Sequence, residues 1–94
     1  MADKIKKQVH VYYSGSVQGV GFRFTAEDLA KDLGICGLVR NLRDGRVEVM
    51  AEAEEAVLKD FLERIRQKFS GYIRDTDIEW LQASGKFRDF QIKF

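Results

Sequence analysis

The spacing of apolar residues switches repeatedly between a period of two and a helical period, and that order of switches constrains the fold more than any single residue does. Val9, Val11 and Tyr13 alternate with His10 and Tyr12, the pattern of a strand with one face toward a core. Phe22, Ala26, Leu29, Ala30 and Leu33 then fall at helical spacing, with Gly34 where a helix-terminating glycine belongs. Residues 35–42 read as a second strand, and Asp44-Gly45 as the tight turn that returns the chain through Val47, Val49 and Ala51. Val57, Leu58, Phe61, Leu62, Ile65 and Phe69 form an amphipathic helix closed by Gly71. Ile78 and Trp80 mark a fourth strand; Phe90, Ile92 and Phe94 mark a short fifth.

Strand, helix, strand, strand, helix, strand, with an added terminal strand, predicts an α+β chain of the split βαβ, ferredoxin-like kind. The expected architecture is an antiparallel sheet of four to five strands with two helices on one face. Right-handed crossovers leave few other topologies for this order. Residues 1–94 are expected to form one domain, since a chain of this size buries roughly 60–65% of its unfolded surface. The fold leaves the function open.

Composition removes several function classes. Sixteen basic against fifteen acidic residues give a formal charge of +1, without the broad positive field of a nucleic-acid binder. The third strand carries Glu48 and Glu52 where a ferredoxin-like RNA reader needs basic and aromatic residues. One cysteine (Cys36) and one histidine (His10) exclude an internal disulfide and a multi-ligand zinc site. No apolar run resembles a signal peptide or a membrane helix, so the expected setting is cytoplasmic. His10 reads as a structural or solvent-facing residue and Cys36 as a small buried group; Lys4, Lys6 and Lys7 read as a solvated basic cluster.

Chemistry concentrates in one segment, Ser14-Gly15-Ser16-Val17-Gln18-Gly19-Val20-Gly21-Phe22-Arg23, at a strand-to-helix junction. Its glycines open a backbone path closed to other residues, along which successive amides can turn inward as an anion nest. The helix that follows adds unpaired N–H groups and a positive dipole end, and Arg23 adds a guanidinium fork suited to phosphate oxygens. The spacing matches neither the dinucleotide fingerprint nor the P-loop. On spacing alone a phosphate site and a plain glycine turn stand at about even odds.

The run from Gly15 to Arg23 resembles the first signature of the acylphosphatases. Gly37-Leu38-Val39-Arg40-Asn41-Leu42-Arg43-Asp44-Gly45-Arg46-Val47-Glu48 resembles their second, at the expected distance. The resemblance implies a small monomeric enzyme that hydrolyses the carboxyl-phosphate bond of acyl phosphates to carboxylate and inorganic phosphate, with no metal or cofactor. It assigns phosphate binding to the loop, Gln18, Gly19, Val20, Gly21, Phe22 and Arg23, and catalysis to Arg23 and Asn41, with Asn41 positioning the attacking water. The closing run Phe90-Gln91-Ile92-Lys93-Phe94 is similar to the family's last strand, which implies a terminal carboxylate close enough to pair with Arg23. No proline follows the second helix, where many members have one. The alternative reading is a non-catalytic module of ferredoxin-like fold that binds phosphate or acyl phosphate without turning it over.

Overall fold

The computed structural model describes residues 5–94, so Lys4 of the basic cluster lies outside the described residues. The chain runs β1 (Lys6–Gly15), α1 (Phe22–Leu33), β2 (Cys36–Asn41), β3 (Val47–Glu54), α2 (Glu55–Lys68), β4 (Ile73–Gln82) and β5 (Phe90–Lys93). The strands form one sheet in the order β4-β1-β3-β2-β5. β3 lies at its centre, antiparallel to β1 and β2, and β1 is antiparallel to β4 as well.

The predicted order of elements holds, with three amendments. β5 joins the edge of β2 in parallel, so the sheet is mixed rather than wholly antiparallel. β4 spans ten residues, through the charged stretch Arg74–Asp77, because its pairing with β1 overrides the weak strand propensity of Asp and Arg. The turn after β2 is a five-residue loop, Leu42 to Arg46, closed by Leu42 N–H donating to the Arg46 carbonyl at 2.8 Å. Gly34 caps α1 at φ +70° as expected. α2 stops at Lys68 with Phe69 as its cap, two residues before Gly71.

The core forms between one sheet face and both helices. Val9, Val11 and Tyr13 stand opposite Ala51, Val49 and Val47, and all six are buried. Phe22, Ala26 and Ala30 of α1 and Leu58, Phe61 and Ile65 of α2 cover them. The Phe22 ring lies 4.9 Å from Tyr13 and 4.6 Å from Phe69, which fixes the first turn of α1 against the end of β1. Aromatic pairs of this kind add about 0.5–1.5 kcal/mol each beyond their buried area.

The other sheet face buries two carboxylates. Glu52 accepts hydrogen bonds from Gln8 Nε2 (2.6 Å), from Ser84 N–H and Oγ (2.7 Å each) and from Gly85 N–H (3.1 Å). It thereby fastens the β4–β5 connection to the sheet. Glu48 accepts from His10 Nε2 (2.6 Å) and from Arg40 Nε, so His10 has a structural partner. Cys36 is half-buried on this face rather than fully buried. Among the described residues no helix is long and apolar enough to cross a membrane.

Candidate active site

The loop joining β1 to α1 is held at four points. Gly15 approaches the turn after α2 so closely that a Cβ there would lie 2.3 Å from the Tyr72 carbonyl oxygen, and the next amide, Ser16 N–H, donates to that oxygen at 2.9 Å. Val17 is fully buried and pins the middle of the loop to the core. The Gln18 amide then crosses to the β2–β3 loop, where Nε2 donates to the carbonyls of Leu42 (2.8 Å) and Arg46 (3.0 Å). Gly19 and Gly21 turn the chain through the left-handed region at φ +79° and +80°, conformations that cost a side chain about 1–2 kcal/mol.

Gly21 is the N-cap of α1 and offers no side-chain acceptor, and no acidic residue stands in the first turn. The amides that open a helix have no acceptor within it, and the dipole's positive end here meets no compensating charge. Such an end is suited to an anion. Arg23 is the second residue of that turn, its guanidinium carbon 4.8 Å from the centroid of the Phe94 ring. The chain's last residue does reach Arg23, but the recorded contact is through the ring rather than the expected terminal carboxylate. A guanidinium over an aromatic face gains from the ring's negative quadrupole and keeps its in-plane N–H donors free.

Asn41 ends β2, directly opposite Val47. Its Oδ1 is buried and accepts no hydrogen bond, alone in this among the buried side-chain polar atoms of the described residues. An unpaired buried amide oxygen costs on the order of 1–3 kcal/mol, so it marks a place where another donor is wanted.

These parts meet in a cleft of about 250 Å³ lined by Val17, Gly19, Gly21, Phe22, Arg23, Phe24 and Asn41. Of the residues singled out in the sequence, Gly19, Gly21, Phe22, Arg23 and Asn41 line it together. Gln18 turns its side chain to the hairpin, and Val20 packs half-buried against the core. Val17 and Phe24 line the cleft without having been singled out. Phe24 had a legible signal, since it falls off the helical stripe of Phe22, Ala26, Leu29 and Leu33 and yet is aromatic. A somewhat larger groove, about 330 Å³, runs between α2 and β4 but is walled largely by Tyr13, Leu62, Ile78 and Trp80.

The β2–β3 loop that Gln18 reaches keeps one charge pair to itself. The Asp44 carboxylate accepts from Arg46 N–H (3.1 Å) and Nε (2.8 Å), which holds its carboxyl below the usual carboxylate range and occupies Arg46. Arg46 also lies over the Tyr12 ring at 4.5 Å. Among the described residues, Arg23 is the one ionisable side chain lining the cleft. The described residues contain no group of three or more His, Cys, Asp and Glu side chains placed to hold a metal ion.

The acylphosphatase family model matches residues 9–92. An acylphosphatase of Caldanaerobacter subterraneus subsp. tengcongensis is 38% identical over 89 residues, covering 94% of this chain and 99% of that relative. One from Methanospirillum hungatei is 47% identical over 68 residues, covering 72% and 75%. The crystal structure of acylphosphatase from Bacillus subtilis superposes with a TM-score of 0.86 at 32% identity, over 94% of this chain and 99% of that one.

Proposed function

The chain belongs to the acylphosphatase family and is a hydrolase acting on acyl phosphates, and we propose that it holds the phosphoryl group in the 15–23 loop with Arg23 while Asn41 positions the attacking water. One observation carries the reading. The buried, unpaired Oδ1 of Asn41 shares a small cleft with Arg23 and with the glycines that open α1.

In this mechanism the amides of the loop, from Gln18 to Arg23, and the Arg23 guanidinium bind the non-bridging phosphoryl oxygens and neutralise their charge. The Asn41 side-chain oxygen accepts a hydrogen bond from a water and aims the water's oxygen at phosphorus, in line with the acyl oxygen. The water oxygen–phosphorus bond forms as the phosphorus–acyl oxygen bond breaks. The acyl group departs as a carboxylate, a leaving group stable enough to need no general acid. An amide has no pKa with which to act as a base, so the water's proton passes to a phosphoryl oxygen and the product is inorganic phosphate. Preorganised donors and a positioned water supply the acceleration. The reading takes the protein as a cytoplasmic monomer, and the scheme calls on no metal or cofactor.

The test is hydrolysis of benzoyl phosphate in the presence of EDTA by wild type, Arg23→Gln and Asn41→Ala. The expected result is metal-independent turnover, competitive inhibition by inorganic phosphate, and a loss of about 10²–10³-fold in kcat for each variant. A folded wild type that binds phosphate without turnover is instead the non-catalytic phosphate-binding module.

A further inference from the structure

The site described above says how a phosphoryl group is held and says nothing yet about the acyl group attached to it. In-line displacement supplies the missing constraint, because the leaving oxygen departs on the side of phosphorus opposite the attacking water. The cleft is lined by Asn41 from the end of β2 and by Phe22, Arg23 and Phe24 from the first turn of α1. With the water held at Asn41, the acyl group leaves toward lining residues other than Asn41, and α1 supplies three of them. Phe22 is buried there, Arg23 is engaged with phosphate, and Phe24 remains with 58% of its surface exposed. A large aromatic left open beside an anion site, off the apolar stripe of its own helix, contributes little to the core.

We propose that Phe24 is the acyl-specificity residue of this site, selecting acyl phosphates whose acyl group is uncharged and apolar or aromatic. The inference rests on the functional reading given above. Two further observations support it. Arg23 is the sole ionisable lining side chain among the described residues and is committed to phosphate, so a carboxylate or ammonium on the acyl group meets no counter-charge from them and loses hydration. A further exposed ring, Phe94, stands against Arg23 one step beyond the Arg40–Lys93 pair of β2 and β5. The guanidinium thus has an aromatic contact, and an aromatic residue, Phe24, follows it in sequence and lines the cleft with it.

The experiment compares kcat/KM for benzoyl, acetyl and succinyl phosphate with wild type, Phe24→Ala and Phe24→Trp. Wild type is expected to prefer benzoyl over acetyl phosphate and to disfavour the carboxylate-bearing succinyl phosphate. Phe24→Ala lowers the benzoyl-to-acetyl ratio about tenfold, the scale of losing one apolar contact in a pocket, and Phe24→Trp retains it. Inhibition by inorganic phosphate is expected to be unchanged in both variants, since phosphate does not reach the acyl side. An equal fall on benzoyl and acetyl phosphate, or an unchanged ratio, overturns the assignment of Phe24 while leaving the hydrolase reading intact. A folded wild type that hydrolyses none of the three removes both.

Discussion

Asn41 and Glu48 sit one step apart on the same two-stranded ladder, where Asn41 faces Val47 and Arg40 faces Glu48. One residue of register sends them to opposite faces of the sheet. Both bury polar atoms, yet they are treated in opposite ways. The Glu48 carboxylate receives His10 and Arg40, whereas the Asn41 carbonyl oxygen receives nothing. A buried polar group with all its partners supplied by the fold holds the fold together, and one whose partner must come from outside is poised for a ligand. Glu52, with four donors around it, belongs with Glu48.

The contrast is broken or sharpened most strongly at Asn41. Asn41→Ala is expected to lower kcat by about 10²–10³-fold while leaving the midpoint of thermal unfolding unchanged or slightly raised. An unpaired acceptor contributes nothing to lose, so parallel falls in activity and stability would place Asn41 with the structural carboxylates. The mirror experiment is Glu52→Ala. It strands the Ser84 and Gly85 donors and should cost about 2–3 kcal/mol in urea-determined unfolding free energy, with kcat/KM kept within about twofold.

A smaller effect lies in the acid limb of stability. Burial opposes ionisation of Glu48 and Glu52, but the donors around each outweigh it and hold both carboxyls below the ordinary glutamate value. A carboxyl depressed in the folded state stabilises fully above its unfolded pKa, about 4.3, and that contribution fades as pH falls through the folded value. Unfolding free energy measured from pH 7 to pH 2 should therefore decline below about pH 4.3, and Glu52→Gln should show a shallower decline than wild type. Equal slopes would mean that the depressed carboxyls lie elsewhere. One candidate is Glu63, which its hydrogen bonds from Arg66 and Gln67 bring to about 2.

Much of the fold was legible because burial periodicity is a local property. Val9, Val11 and Tyr13 must share a face whatever they pack against, and the stripe from Phe22 to Leu33 must turn inward. What escaped was set by pairing at a distance. Arg74 to Asp77 carry no strand signal and become strand because β1 offers its free edge. The end of the chain reads as one more strand, but only the vacant edge of β2 makes it parallel. The turning of the loop was similarly legible, since its glycines open a backbone path closed to other residues. The expected phosphate-binding role of Gln18 did not foresee its anchoring bonds, because nothing within the loop indicates that its side chain will reach carbonyls 24 and 28 residues away.

The sequence by itself therefore determined the order of elements, the face each one buries, the left-handed turns at Gly19 and Gly21, and through two signatures the family. Tertiary structure alone decided that Asn41 lines the same cleft as Arg23, that its oxygen is left without a partner, and that Phe24 stands exposed in that cleft. The division has a physical cause. Backbone conformation and hydrophobic period are properties of a few consecutive residues, whereas hydrogen-bond satisfaction and cleft shape depend on which distant segments the pairing of strands brings together.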